Sequence, residues 1–279
     1  MRIALCGALG KMGKAVYEYC RCSSDVDVVL AADKLFDSNT LSKETPFERH
    51  CADADYNVDT ANADRTNICF GRDVQTVCDI SDAQCDFDAI IDFSAHNATI
   101  SILKVAIVRR CAVVLATTGH DDEEKKYIEY ASRFIPIFYS GNMSLGIAAM
   151  ARCVKETLTL FKKADVEIVE THHVEKLDAP SGTALMLAEV VKQTVGGRIV
   201  VSRCGYGAKE DGDIGVHSLR MGNVFGQHEV RINTGDEVLE FKHEALSRNV
   251  YARGAIEAVK FLKNKGAGLY GMTDLLCRN

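Results

Sequence analysis

The chain of 279 residues has no apolar run near the ~18 residues that a membrane-spanning helix needs. It has no excess of basic charge either. Its formal net charge is −6, so no general pull towards nucleic acid is expected. The eleven cysteines form no CxxC pair and are odd in number, which excludes a zinc knuckle and a closed disulfide framework. Most are expected to be buried, reduced thiols packed as small apolar side chains. There is no HExxH segment, and Lys176 sits inside the one cluster with zinc-ligand chemistry, His172, His173 and Glu175, so no metal site is expected. Internal repeats and low-complexity tracts are absent. The N-terminal stretch MRIALCGALGKMG enters a strand directly and lacks the pattern of a secretory signal. The chain is therefore expected to be cytoplasmic, or to work in an organelle matrix after processing.

What is present reads as an α/β protein with two domains. Hydrophobic residues make up 47% and charged residues 26%, ordinary for a globular chain, and the length suffices for two cores. Apolar runs alternate with helical patterns over the first half: Arg2–Cys6, Val26–Ala32, Ile68–Phe70, 88–93, 112–116 and 136–139 as strands, with a turn or helix near Val74–Ile80 and Ser94 opening a helix. Such alternation predicts a doubly wound parallel sheet of the Rossmann type, whose ligands bind beyond the carboxyl ends of the strands. Gly7, Asp33, Ser94, Thr117 and Asn142 fall there. The polar stretch 35–67 reads as a surface excursion with a short helix near Phe47–Cys51. After Ser144 a helix and four strand-like segments predict a smaller α+β domain with a mixed sheet. The expected division is 1–143 for dinucleotide binding, with a C-terminal return over 249–279, and 144–248 for substrate binding and oligomerisation.

Two segments carry chemistry. Gly7-Ala8-Leu9-Gly10-Lys11-Met12-Gly13 follows the first strand and opens a helix, as a pyrophosphate-binding turn does, although its spacing is GxxGxxG rather than GxGxxG. Asp33, at the end of the second strand, suits a free ribose 2′-hydroxyl, and Lys34 suits a 2′-phosphate. The pair leaves NADH and NADPH both open. The second segment, Glu170 to Leu185, reads ETHHVEKLDAPSGTAL. It places two imidazoles and an ammonium just before a helix N-terminus, where Pro180 is expected in the first turn and Ser181 and Thr183 as cap formers. Free amides near Gly182 would bind an anion, most simply a carboxylate. His172 and His173 can face one ligand only if the strand ends near Thr171, since neighbouring strand side chains point to opposite faces.

These motifs, together with DFS at Asp92, ATTG at Ala116, GNMSLG at Gly141 and GLYGMTDLL near the C-terminus, resemble the 4-hydroxy-tetrahydrodipicolinate reductase (dihydrodipicolinate reductase) family over nearly the whole chain. The resemblance implies NAD(P)H-dependent reduction of 4-hydroxy-tetrahydrodipicolinate in the diaminopimelate and lysine pathway. It makes His172 the acid-base residue and Lys176 a proton donor and substrate contact. His173, Gly182 and Thr183, with Ser181 in the same turn, would hold the small cyclic dicarboxylate. It assigns the nucleotide to Gly7, Ala8, Leu9, Gly10, Lys11, Met12, Asp33, Lys34 and Phe93, and to Ala116, Thr117, Thr118, Ser140, Gly141, Asn142 and Met143. A homotetramer is implied as well. The chain departs from the family pattern at Ala116, often glycine, and at Met143, often phenylalanine. Another NAD(P)-dependent amino-acid or semialdehyde dehydrogenase would share the glycine turn, as would a non-catalytic dinucleotide sensor, but neither needs HHVEK followed by DAPSGT.

Overall fold

The computed structural model describes residues 1–36 and 70–277. Over these the backbone divides into two compact units, one comprising Met1–Met143 and Tyr251–Leu275, the other Ser144–Val250 and the residues from Leu276 onward.

In the first unit the strands are β1 (Arg2–Cys6), β2 (Asp27–Ala32), β3 (Gln75–Val77), β4 (Ala89–Asp92), β5 (Ala112–Leu115), β6 (Pro136–Tyr139) and, late in the chain, β12 (Gly268–Tyr270). They form one parallel sheet in the order β12-β6-β5-β4-β1-β2-β3. The central strands are apolar over residues 3–6 of β1, 89–91 of β4 and the whole of β5, because both faces are covered, as parallel sheets require. On one face Ala4, Ile90, Val113 and Ile137 pack with Ile102, Leu103 and Ala106 of α2 (Thr99–Arg109) and Ile128 of α3 (Asp122–Ala131). On the other, Phe138 meets Phe261 of α6 (Asn249–Leu262) edge-on, with ring centroids 6.2 Å apart. The strand order reverses at β1, which has β2 on one side and β4 on the other, so β1 and β4 flank the crevice where doubly wound sheets bind ligands.

The stretch Val74–Ile80 is not a simple turn or helix: Gln75–Val77 pairs with Leu30–Ala32 as β3, and only Ile80–Asp82 makes a single 3₁₀ turn. Three residues, two of them polar, are too few to show a strand period. Ser94 does not open a helix directly either, since a 3₁₀ turn at His96–Ala98 precedes α2. The helix expected near Phe47–Cys51 lies outside the described residues, as do Ile68 and Cys69 of the strand expected over Ile68–Phe70.

The second unit holds β7 (Asp165–His172), β8 (Arg198–Val201), β9 (Asp213–Arg220), β10 (Gln227–Asn233) and β11 (Val238–Glu244), in the order β11-β10-β7-β9-β8. The sheet is mixed: β7, β9 and β8 run parallel, and β10 is antiparallel to both β7 and β11. Helices α4 (Leu145–Leu160) and α5 (Gly182–Val195) set Met150, Val154, Leu187 and Val191 against Val166, Ile168, Val216, Val230 and Ile232. Each such side chain contributes about 1.5–3 kcal/mol by leaving water. A short helix, α7 (Met272–Leu276), follows β12.

The cysteines correct an expectation. Among the described residues Cys6, Cys20 and Cys111 are buried, whereas Cys22, Cys78, Cys153, Cys204 and Cys277 are exposed, and none of the nine described is in a disulfide. The exposed ones fall at element ends or in loops, or on the outer side of α4 as Cys153 does, so apolar chemistry alone did not draw them inside. Burial pushes the Cys20 thiol up to about 12 and the Cys111 thiol up to about 11, which keeps both protonated. Among the described residues no helix is long and apolar enough to cross a membrane.

Candidate active site

The glycine turn is built by contact. Gly7 has φ +74°, and a Cβ there would lie 2.5 Å from the Phe93 carbonyl oxygen, across the β1/β4 crevice. Gly10 donates its N–H to the Gly7 carbonyl at 3.1 Å and caps α1 (Lys11–Arg21) with no side chain of its own. A Cβ on Gly13 would lie 2.2 Å from the Gly7 carbonyl oxygen, so the third glycine seats the helix on the turn. The Gly7–Gly10 hydrogen bond thus absorbs the extra residue of GxxGxxG. Asp33 fastens the turn from β2: its carboxylate accepts the Leu9 N–H at 3.0 Å and the Leu35 N–H at 3.1 Å. Gly7, Gly10, Asp33, Lys34, Phe93 and Ser94 line one cavity of about 290 Å³, which Asp79 and Ile102 also reach. Ala8 is buried, Leu9 and Met12 are half-buried, and Lys11 is exposed at the start of α1. A close-approach glycine turn, an uncapped helix start and a carboxylate at the end of β2 fit a dinucleotide.

The other nucleotide-side residues follow β5 and β6 on the same carboxyl edge. Sequence reasoning quoted Asp92 within DFS but gave it no role, and in the structure it ties Ser94 to Thr117. Fully buried at the end of β4, it accepts the Ser94 N–H at 2.9 Å, the Ser94 hydroxyl at 2.5 Å and the Thr117 hydroxyl at 3.1 Å. Burial pushes its carboxyl up against those hydrogen bonds. Ala116 continues β5, and a Cβ on Gly141 would touch the Thr118 methyl at 3.6 Å, so the β5 and β6 loops adjoin. Ser140 donates its hydroxyl to the Asn142 carbonyl at 2.7 Å. Met143 differs from these: its side chain is buried, and its carbonyl faces Gly254 of α6, where a Cβ would lie 1.6 Å away.

In the second unit the inner face of the sheet changes character towards the carboxyl end of β7. Ile168 has Val230 and Val216 as register partners, and two residues on the row becomes His243, His228, Glu170 and Ser218 across β11, β10, β7 and β9. One further step along β7 and β9 pairs His172 with Arg220. The strand runs through His172, so His173 falls in the turn that follows, half-buried, its carbonyl accepting the Lys176 N–H at 3.2 Å. Glu170 is fully buried, and each of its oxygens takes one arm of Arg220 at 3.0 Å. The same carboxylate accepts the Ser181 N–H at 3.1 Å and the His172 Nδ1–H at 2.6 Å. Burial alone would raise the Glu170 carboxyl, but the hydrogen bonds from Arg220 and His172 prevail and lower it to about 2. An ionised carboxylate can only accept, so the His172 proton sits on Nδ1 and Nε2 carries the lone pair. Burial holds His172 below the ordinary imidazole value, with Glu170 pulling the other way.

Helix α5 starts on this row. Ser181 is its N-cap, taking the Ala184 N–H at 3.2 Å and meeting His228 Nε2 at 3.1 Å. Pro180 therefore precedes the helix rather than occupying its first turn, after a cis Ala179–Pro180 bond. Gly182, the first helical residue, is exposed with open space around its Cβ position, and Thr183 is half-buried. Lys176 forms an ion pair with Asp178 at 2.7 Å. The start of α4 repeats the device: Ser144 caps it, meets His243 Nε2 at 3.2 Å, and is followed by Gly146, where a Cβ would lie 2.7 Å from the His243 ring. Sequence reasoning passed over Arg220, His228 and His243. Their signal was phase: His228 alternates with Val230 and Ile232, and His243 with Phe241 and Leu239, polar residues at core positions.

Family models for dihydrodipicolinate reductase match this chain end to end, the N-terminal model over residues 1–143 and the C-terminal model over 146–276. The chain belongs to the dihydrodipicolinate reductase family. It is therefore an oxidoreductase by class. A 4-hydroxy-tetrahydrodipicolinate reductase of Caldanaerobacter subterraneus is 36% identical over 99% of this chain and 98% of its own length. Another, from Clostridium tetani, is 33% identical over 99% and 97%. The solved dipicolinate-bound dihydrodipicolinate reductase from Paenisporosarcina has the same fold, with a TM-score of 0.77 at 20% identity, covering 98% of each chain. In this chain the GxxGxxG turn falls in the first unit and the HHVEK segment in the second.

Proposed function

We propose that the chain reduces 4-hydroxy-tetrahydrodipicolinate to tetrahydrodipicolinate with NADH or NADPH, in diaminopimelate and lysine biosynthesis. The observation that carries this reading is His172, its Nδ1–H committed to a buried, ionised Glu170 and its Nε2 left to a ligand beside the start of α5. In the first unit Gly7 to Met12, Asp33, Lys34 and Phe93, with Ala116 to Thr118 and Ser140 to Met143, would hold the dinucleotide. When bound, the nicotinamide supplies a hydride to C4 of the cyclic imine or its dehydrated form.

The chain's own residues then have separate roles. The amides at Gly182 and Thr183 and the side chain of His173 hold a carboxylate and orient the ring, whereas the buried Ser181 hydroxyl, expected there too, is committed to the Ala184 N–H and His228. Lys176 adds positive charge and a second proton donor. His172 delivers a proton from Nε2 to the nitrogen system on which charge develops. In the free protein burial disfavours the imidazolium, but a bound dicarboxylate brings negative charge close by and favours it. The acid is thus charged most readily when substrate is present. Asp33 and Lys34 together accept either cofactor, and the working form is a homotetramer in the cytoplasm. The test is NAD(P)H oxidation at 340 nm with freshly made 4-hydroxy-tetrahydrodipicolinate, beside a panel of aldehydes and keto acids. Turnover is expected only with the former; turnover of the panel instead would replace this reading with a dehydrogenase of another specificity.

A further inference from the structure

Arg220 is the last residue of β9 and the register partner of His172, yet its side chain does not stay within the sheet. Nη1 reaches one Glu170 oxygen and Nη2 the other, both at 3.0 Å, and Nη2 also donates to the Asp178 carbonyl at 2.6 Å. Asp178 in turn holds Lys176 at 2.7 Å. On the function proposed above, we infer that Arg220 is a positioning residue serving both proton donors at once. It keeps Glu170 ionised behind His172, and through the Asp178 carbonyl it holds the turn that carries Lys176. A planar guanidinium suits this task because its arms are fixed relative to one another; the single ammonium of a lysine can supply the charge but not the fork.

Four charged or titratable groups face His172: Glu170 from its own strand, Arg220 from β9, His228 from β10 and Lys176 from the turn that follows. Removing Arg220 takes a cation away and leaves His172 as the only charged partner of Glu170, beside the neutral Ser181 N–H, so the imidazole should hold its proton to higher pH. Removing the Glu170 charge does the reverse. A residue with a merely structural role would loosen the site in both cases and move His172 towards its solvent value in both.

The experiment is an NMR titration of the His172 imidazole in the ligand-free full-length chain, wild type and three variants. Glu170→Gln should lower the His172 midpoint, Arg220→Met should raise it, and Arg220→Lys should leave it near wild type. In Arg220→Lys the Lys176 amide, which donates to the His173 carbonyl, should also exchange with solvent at least ~10-fold faster, the loss of one hydrogen bond. The kcat of that variant should fall by a similar factor. Shifts of the same sign in Arg220→Met and Glu170→Gln, or wild-type exchange at Lys176 in Arg220→Lys, would overturn the assignment. If Arg220→Met does not fold, a His172 midpoint in Arg220→Lys displaced as far as in Glu170→Gln overturns it equally. The titration and exchange need no substrate. Opposite shifts in a chain that does not reduce 4-hydroxy-tetrahydrodipicolinate would therefore uphold the role of Arg220 and defeat only the proposed reaction.

Discussion

A histidine at a strand end is ordinarily a half-solvated base, and what sets His172 apart is that one nitrogen is spoken for. With Nδ1–H donated to Glu170, the ring is oriented and a single proton-exchanging atom remains. His172→Gln should lower kcat by about 10²–10⁴-fold, the usual loss for a general acid. Thr183→Val should chiefly raise KM for the dicarboxylate, and Lys176→Ala should damage both parameters, since its charge serves ground and transition states alike. Fluorescence titration with NADPH should give near wild-type affinity in all three. The pH dependence follows from the lowered His172. An acid must be protonated to act, so kcat/KM, which reports the free enzyme, should fall as pH rises through a value below the ordinary ~6.5 of histidine. The limb in kcat should lie at higher pH, because bound dicarboxylate favours the imidazolium. A kcat limb at or below that of kcat/KM would remove His172 as the donor. Lys34→Ala, by contrast, should weaken NADPH use and leave NADH use nearly untouched; an equal loss with both would end its assignment to the 2′-phosphate.

Elements differ in how plainly they can be read from sequence. β5 and the stretches 3–6 of β1 and 89–91 of β4 are continuous apolar runs because both faces are buried, and α5 announces itself by Ser181 followed by an apolar stripe. The site segments were readable for the same reason: Gly7 and Gly13 stand where a Cβ would strike the Phe93 and Gly7 carbonyls, and no other residue type meets that geometry. β3 was not readable, since its three residues owe their conformation to pairing with Leu30–Ala32 rather than to their own period. Arg220, His228 and His243 were hidden differently. They lie roughly 50 to 70 residues beyond the histidine pair; phase marks the two histidines as polar groups at core positions, but which residues they meet is set by register across β9, β10 and β11, which no local pattern encodes. The turn before α1 gives a prediction at this scale. Gly13→Ala must push the Gly7 carbonyl, strain of order 1–3 kcal/mol, so NAD(P)H should bind about 10- to 100-fold more weakly. Dicarboxylate binding, read by calorimetry without cofactor, should stay unchanged; a loss there would mean the substitution disturbs more than the turn.

At the scale of the whole molecule, the polar end of the second sheet links stability to pH. His228 is buried at the centre of the row, and burial, with His172 beside it, takes its pKa down to about 3. In the unfolded chain the same imidazole titrates near 6.5. Between those values the unfolded state binds a proton that the folded state does not, so stability is fully present above about 6.5 and is lost as pH falls. Glu170, lowered to about 2 from an ordinary ~4.5, adds a second loss of the same sign that begins only below about 4.5. The two windows separate the groups. Hydrogen-exchange protection factors for amides of β7 and β10, which report the second unit and already divide out the intrinsic pH dependence of exchange, should fall between pH 7 and pH 5. The share due to His228 is on the order of tenfold, since each unit of pKa difference traversed is worth a factor of ten. His228→Gln should remove that share while keeping a hydrogen-bonding group against Ser181. Glu170→Gln should leave the fall from pH 7 to pH 5 in place and flatten the steeper loss below 4.5. If His228→Gln showed the same fall from pH 7 to pH 5 as wild type, the neutral His228 of the folded state would not be what couples this sheet to protons, and His172 and His243 would have to carry the whole effect.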